Sequence, residues 1–293
     1  MPDPASAEQP LPRSFLYVPG HRQDLVAKAR AGSADALIVD LEDSVPLTAR
    51  AGARDLLRAL AGTGAVDAPG RPEVWARIDP DHLDDDLDAA VGPGVRGLVV
   101  AKADADVLGR LAPGLSRLEG ERGLPVGRTL VVGLVEGARA LLELDRLCRH
   151  PRLTSLGLGE ADLHADLRLT RSAVTATAVD ALRLLVVLHC AAAGLAAPVA
   201  PTSTDFRDLA AFEESSRQLR DLGFRSRTAV HPHQVQVVNR VFTPDVATVE
   251  AARDVVSRLE AAAGAATTDS SGRLIDAAVA RAAHEILARA RTS

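Results

Sequence analysis

Aromatic side chains are scarce in this chain: five Phe, one Trp and one Tyr make up 2% of 293 residues. That scarcity excludes an aromatic core, so the interior must be built from Leu, Val, Ile and Ala. Cysteine is nearly missing too. Cys148 and Cys190 have no metal-ligand spacing and stand in apolar helical stretches, which excludes a cysteine-built metal centre and leaves two reduced core residues. There is no basic excess. The net charge of -5 and a pI near 5.9 argue against a general nucleic-acid binder, which carries a basic face. "MPDPASAEQPLP" has no apolar run and reads as a disordered lead-in, with a cytoplasmic location expected. "VPGHRQ", after the first apolar run, holds one Gly and is not the glycine-rich fingerprint of a dinucleotide-binding sheet. No internal repeat and no long low-complexity linker is present.

What the chain does contain is globular: 47% apolar and 25% charged residues. Its length is normal for a single α/β barrel. A fold of this size buries roughly three quarters of the surface of its unfolded chain, so a large core is available. Short apolar runs recur: "SFLYV" from Ser14, "ALIVD" from Ala36, "VWARI" from Val74, "GLVVA" from Gly97, "TLVVGLV" from Thr129, "LTSLGLG" from Leu153, "APVAP" from Ala197 and "RTAVH" from Arg227. Between them lie stretches of helical spacing such as "TARAGARDLLRALAG" and "DFRDLAAFEESSRQLRDLG", the latter ending at a C-capping Gly223. Strands alternating with helices predict parallel pairing, and eight such units predict a (β/α)8 TIM barrel. The most apolar segment, residues 184–200, contains His189, Gly194 and Pro198. It is read as a buried helix followed by a strand, and no membrane span is expected. The predicted organisation is a lead over 1–12, a barrel over 13–240 and a helical extension over 241–293. That extension reads as a helix with a Thr-Pro start, the polar loop "TTDSSGR" and a second helix. It would cap the barrel or pack on a neighbouring subunit.

The chemistry collects at one phase of the strand–helix repeat. "ALIVDLEDSV" ends in Asp40, Glu42 and Asp43, the third run carries Arg77, and the fourth is followed by Lys102. The fifth run meets Glu136, the sixth Glu160 and Asp162, the seventh Asp205 and the eighth His231. In a barrel these positions converge on one mouth. A polar ring on an apolar wall is costly unless its members pair or hold a ligand or metal. Glu136 and Asp162 on adjacent strands can hold Mg²⁺; equally, either can serve a helix N-terminus. Arg77 is either a structural ion pair or a fork for a carboxylate. Lys102 reads as a structural ion pair. His231 is either a general base or a hydrogen-bonded structural residue.

"RSFLYVPG", "ADALIVDLEDSV", "VWARID", "LVVGLVEGARAL", "LGLGEADLHADL" and "RTAVHPHQVQVVNRVFTP" occur in that order. Together they resemble the citrate lyase beta-subunit-like branch of the HpcH/HpaI aldolase family, from residue 13 to about 290. The resemblance implies a (β/α)8 barrel assembled as a homotrimer or hexamer, with Mg²⁺ on Glu136 and Asp162 and a substrate carboxylate on Arg77. It implies cleavage or formation of a carbon–carbon bond in a 3-hydroxyacyl-CoA thioester such as citryl-, malyl- or citramalyl-CoA. In some relatives an Asp of the C-terminal segment reaches a neighbour's site; "GRLIDAAV" places Asp276 there, as the general base, with Asp43 as the alternative. Glu42 and Asp43 would stand beside the metal, holding its waters and orienting Arg77, while Asp40 would sit inside the barrel or brace the strand. Arg13, Arg22 and Lys28, near the first strand and its helix, would either meet CoA phosphates or be solvated surface charge. The chain departs from the family pattern at Gly137 (often Thr), Asp79 (often Asn) and Ala101 (usually Pro), which bears on the substrate more than on the reaction type. Two other functions stay open: a thioesterase using the same site, and a subunit active only with partners.

Overall fold

Each of the eight apolar runs forms a strand in the computed structural model, which describes residues 11–64, 70–269 and 271–291. The strands are β1 Ser14–Pro19, β2 Ala36–Asp40, β3 Glu73–Ile78, β4 Gly97–Val100, β5 Leu130–Val135, β6 Ser155–Leu158, β7 Val199–Ala200 and β8 Ser226–Ala229. All pair in parallel, in chain order, and β1 closes on β8 through Ser14–Arg227, Phe15–Thr228 and Leu16–Ala229. The result is the predicted TIM barrel. Between the strands run α1 Gln23–Arg30, α2 Arg50–Ala61, α3 Leu83–Ala90, α4 Ala105–Glu121, the short pair α5 Ala138–Leu142 and α6 Leu144–Cys148, α7 Glu160–Asp166, α8 Ala176–Ala193 and α9 Leu209–Asp221. α10, Pro232–Phe242, follows β8. Gly223 ends α9 at φ +112, a backbone angle that glycine adopts without strain.

Two compact units result, Pro12–Asn239 and a C-terminal one beginning at Arg240. The second consists of α11 Val246–Ala261, a hairpin of β9 Thr267–Thr268 and β10 Leu274–Ile275, and α12 Ala277–Arg291. The polar stretch expected as a loop is therefore a hairpin. Asp269 ties its turn by accepting from the amides of Ser271 and Arg273. α11 starts not at the Thr-Pro pair but two residues on, where Asp245 accepts from the Thr248 amide at 2.7 Å. The expected lead over 1–12 falls almost wholly outside the described residues.

The core is aliphatic as composition demands, and Trp75 is its largest fully buried side chain. Phe15 packs edge-on to Trp75 at 5.3 Å. Cys148 and Cys190 are both buried and free. One expectation fails here. α8 is long and apolar enough to cross a membrane by length and composition, but as a helix of the barrel's outer layer it is not buried: Leu184 and Leu188 are 51% and 59% exposed. High hydropathy fixed its helical state without fixing what covers its outward face.

Gly97 pairs with Trp75 across β3 and β4, and a methyl added there would lie 2.4 Å from the indole ring. Gly97→Ala is expected to lower stability by about 1–3 kcal/mol through overpacking, measured by urea unfolding. An unchanged midpoint would show that the wall gives way around Trp75.

Candidate active site

At the end of β2 the chain stops alternating and turns tightly, and the first carboxylate explains why. Asp40 Oδ1 accepts from the Glu42 amide at 3.1 Å, and Oδ2 accepts from the Ser44 amide at 3.1 Å and from the Ser44 hydroxyl. The turn thus bonds to a buried side chain at its own root. The same two oxygens receive Arg77 as a fork, Nε at 2.6 Å and Nη2 at 2.7 Å. Arg77 Nη1 lies 2.8 Å from Glu42 Oε2 and 3.3 Å from Asp43 Oδ2, and the guanidinium stands over the Tyr17 ring at 5.1 Å. Burial pulls the Arg77 pKa down, but the Asp40 bonds outweigh it and hold the group above its usual value. Burial likewise pushes Asp40 up, and Arg77 reverses it to a net lowering. Glu42 ends up raised: its burial is only partly offset by Arg77 and by Lys102, whose Nζ donates to Oε1 at 2.8 Å.

The expected division of labour at this turn is corrected in one respect. Asp40, expected inside the barrel or as a brace for the strand, is buried and is also the residue that orients Arg77, ahead of Glu42 and Asp43. With Nε and Nη2 bonded to Asp40 and Nη1 held at 2.8 Å by Glu42, the loosest contact of the guanidinium is the 3.3 Å one to Asp43, which is 63% exposed. Lys102 forms the structural ion pair expected of it.

Glu136 follows β5 and is 7% exposed. It does not cap α5: the N-cap is Gly137, and the Ala138 amide bonds to Asp166 at 2.7 Å instead. Its Oε2 accepts from the backbone amide of Lys102 at 2.7 Å. Lys102 has φ +47, a left-handed angle uncommon for a side-chain-bearing residue, as that turn aims its amide at Glu136. On the other side lies Gly159, where an added Cβ would come within 2.4–2.5 Å of Glu136 Cγ and Oε1. The missing side chain at Gly159 makes the cradle in which Glu136 rests. Burial pushes the Glu136 carboxyl up to about 7; the Lys102 amide opposes this, and the charges of Glu42 and Asp162 add to it. Asp162 sits in the first turn of α7 without capping it, since Gly159 is the N-cap and makes no side-chain bond.

Tyr17, Asp40, Asp43, Arg77, Glu136 and Asp162 all line one cavity of about 560 Å³ at the C-terminal mouth of the barrel. Six carboxylates, Asp40, Glu42, Asp43, Glu136, Glu160 and Asp162, face three cations, Arg77, Lys102 and Arg171. That excess of negative charge, with Glu136 protonated in part at neutral pH, fits a divalent cation. Among the described residues no group of three or more His, Cys, Asp or Glu side chains is arranged to hold a metal. Glu136 and Asp162, which share the cavity lining, are hard oxygen donors, a type suited to Mg²⁺ with water or substrate oxygens in its remaining positions.

Other predicted residues lie elsewhere. Arg13 precedes β1, at the N-terminal end of the barrel and opposite the mouth, where its guanidinium clasps Asp35 at 2.7 and 2.8 Å. Lys28 is exposed in the last turn of α1, which runs back toward that same end. Neither can meet a ligand at the mouth: closeness to β1 in sequence does not say which end of the barrel a residue occupies. Arg22 is on the mouth side, paired with Asp24 at 2.9 Å. His231 is structural, stacked on Phe206 at 5.0 Å and accepting from the His233 amide. Asp79 pairs with Arg50 at 2.7 Å and caps the following turn, outside the cavity lining. Glu160 holds Arg183 through two bonds of 2.5 and 2.9 Å. Asp205 accepts from the amides of Arg207 and Asp208. Asp276 lies in the C-terminal unit and accepts from the amides of Ala278 and Val279 at the start of α12, bonds that hold its pKa below the usual carboxylate range.

Sequence reasoning missed Tyr17, His164, Thr202 and Thr228, all in the cavity lining. His164 Nε2 and Thr202 Oγ1 are buried without a hydrogen-bond partner. His164 could have been suspected, two positions after Asp162 in "EADLH"; the others carry no sequence signal.

Residues 13–232 match the family model described as HpcH/HpaI aldolase/citrate lyase. The chain is 30% identical to a (3S)-malyl-CoA thioesterase of Cereibacter sphaeroides, over 95% of this chain and 94% of the relative. It is 28% identical to the L-malyl-CoA/beta-methylmalyl-CoA lyase of the same species, with the same coverage. Its fold matches Mycobacterium tuberculosis CitE, solved with magnesium, acetoacetate and coenzyme A, at a TM-score of 0.73 and 25% identity, over 95% of this chain and 98% of the other.

Two outcomes are expected from this geometry. Gly159→Ala should keep the fold by circular dichroism yet weaken Mg²⁺ binding about tenfold or more, because its methyl displaces Glu136; equal affinity would place the cation elsewhere. Mg²⁺ affinity in calorimetry should fall by up to about tenfold per pH unit below pH 7, since the cation needs Glu136 ionised. Metal-free stability should run the opposite way. The folded chain keeps a proton that the unfolded chain, with the ordinary glutamate pKa of 4.5, has lost, so this group's contribution falls as pH rises from 4.5 to about 7. Affinity that is flat between pH 5.5 and 7.5 would contradict both signs.

Proposed function

The chain belongs to the HpcH/HpaI aldolase/citrate lyase family, and from that footing we propose that it is a Mg²⁺-dependent carbon–carbon lyase. It acts, in either direction, on a 3-hydroxyacyl-CoA thioester of the citryl, malyl or citramalyl kind. The observation that carries this reading is the meeting of Glu136, Asp162 and Arg77 in one cavity at the barrel mouth. The malyl-CoA lyase relative and the magnesium- and coenzyme A-bound CitE support it.

Glu136 and Asp162 would hold the Mg²⁺, which supplies Lewis-acid polarisation of the oxygen that becomes a carbonyl. The chain's own groups do the rest. Arg77 Nη1 receives the substrate carboxylate once the 3.3 Å contact with Asp43 opens, while Asp40 keeps the guanidinium from turning. Lys102 and Arg77 together neutralise Glu42, so the wall beside the ligand stays fixed. In cleavage, a base takes the proton of the 3-hydroxyl, the oxygen's electrons form the new carbonyl, and the carbon–carbon bond breaks. Its electron pair passes into the enolate of the acyl thioester, which is then protonated at carbon. Asp276 of a neighbouring copy is the base, with Asp43 as the alternative. Positive charge placed where negative charge develops contributes most in such sites.

A thioesterase is the second reading, favoured by the 30% identical malyl-CoA thioesterase. There water attacks the thioester carbonyl and the thiolate leaves. A homotrimer or hexamer is the proposed assembly, and the outward leucines of α8 support it.

Mass spectrometry of the protein with Mg²⁺ and citryl-, malyl- or citramalyl-CoA decides between the two. The lyase gives an acyl-CoA plus a 2-oxo acid or keto acid and stops when EDTA removes the metal. Free CoA as the first product would establish the thioesterase instead.

A further inference from the structure

A second cavity, of about 240 Å³, adjoins the mouth and shares with it Glu160, Arg171, Thr202 and Ser203. Its inner wall is Arg227 of β8. Thr228, the next residue, faces the mouth cavity, so alternation along the strand turns Arg227 to the outer side, beneath α9. The Arg227 side chain is well anchored. Nε donates to the Pro201 carbonyl at 3.1 Å, Nη1 donates to the Phe212 carbonyl, Ser215 Oγ and Ser216 Oγ, and the guanidinium lies 3.9 Å from the Phe212 ring centroid.

Arg227 nevertheless forms no ion pair. It is 3% exposed, and among the described residues no carboxylate lies within 4 Å of it and Nη2 donates to nothing. The other deeply buried arginines all have an acid: Arg77 has Asp40, Arg152 has Glu119 and Arg183 has Glu160. Burial pulls the Arg227 pKa down to about 9, the charges of Arg183 and Arg171 act in the same direction, and that of Glu160 opposes them. A buried cation left unpaired is destabilising. Thr202 repeats the pattern, its Oγ1 buried without a partner in the wall between the two cavities. At the rim, Arg171 is 60% exposed and reaches Glu160 only at 3.5 Å. The carboxylates of the same lining are engaged, Glu160 by Arg183, Asp205 by the amides of Arg207 and Asp208, and Asp208 by the amide of Ala211. That leaves an unpaired guanidinium edge, an orphan hydroxyl and a loosely held second arginine around one small cavity, the donors an oxyanion requires.

We propose that this cavity is a second oxyanion subsite, in which Arg227, Thr202 and Arg171 receive a distal anionic group of the ligand bound at the mouth. Given the lyase reading above, on which this assignment of the ligand rests, that group is a second carboxylate on the acyl chain. The site would then select acyl thioesters with two carboxylates over those with one. A phosphate of the CoA arm offers the same chemistry, and the test separates the two sources.

Calorimetry of the full chain without Mg²⁺, with sulfate as probe, tests the subsite itself. One sulfate should bind, and Thr202→Val and Arg171→Ala should each weaken it about tenfold, as expected for a hydrogen bond to a charged group. Thr202→Val should keep or raise Tm, since its hydroxyl has no protein partner to lose. With Mg²⁺, binding of pantetheine thioesters, which lack the nucleotide phosphates, identifies the source. If Thr202→Val weakens the citryl ester and spares the malyl ester, the anion is the second carboxylate. If it weakens both CoA esters and neither pantetheine ester, the anion is a phosphate and selection by carboxylate count is overturned. Sulfate that fails to bind, or binds the three proteins alike, overturns the subsite whether or not any thioester is turned over. Sulfate binding as expected in a chain that cleaves no thioester would overturn the lyase reading alone.

Discussion

The ion pair between Asp40 and Arg77 is the constraint on which the barrel mouth depends. Both groups stand on neighbouring strands at matched register, Asp40 opposite Arg77, and both are taken out of water by the fold. Neither could be buried alone. Breaking such a pair from one side costs about 3–5 kcal/mol, because the survivor is left as an uncompensated charge. Asp40 also receives the amides of Glu42 and Ser44, so the pair fixes the turn that follows β2 and the places where Glu42 and Asp43 emerge. The three carboxylates that end an otherwise apolar strand therefore do different things. One binds the arginine, one bridges the arginine to Lys102, and one stays open to solvent.

Glu136 is held by different means, and the difference is chemical. Asp40 has a cation against it and stays ionised; Glu136 has one backbone amide and two carboxylate neighbours. The turn at Lys102 is bent into a left-handed angle to supply that amide, and the link from β6 to α7 gives up a side chain at Gly159 to make room. Strain in one loop and missing bulk in another hold a carboxylate where its charge is least welcome, which is what a site for a divalent cation requires. The mouth is short of positive charge, and in the adjoining cavity Arg227 has no carboxylate of the described residues within ion-pair distance. Mg²⁺ and an anionic substrate bound together would correct both.

How much of this was legible differs from residue to residue. Glu136, Asp162 and Arg77 could be found because strand ends in a parallel barrel share one face, so a recurring position in the repeat is a position in space. Arg13 and Lys28 were misplaced by the converse error: both are near β1 in the chain, but they lie at the end of the barrel away from the mouth. The cap alternative for Glu136 failed because a backbone amide from β4's loop, 34 residues away, took its carboxylate. Thr202 and Arg227 gave no signal, since a lone threonine in a loop and an arginine on a short strand are unremarkable until burial strips them of water.

The sequence by itself determined the eight strands, the order in which they pair and the end of the barrel where charge gathers. Those follow from apolar periodicity and from the handed, local connection of strand to helix, which neighbours along the chain dictate. Only the tertiary structure decided which carboxylate met which cation, which was left with a raised pKa, and which polar atoms were buried without partners. These are properties of side chains brought together from distant strands. Their energies depend on distance and on the loss of water, and neither is written in the order of residues.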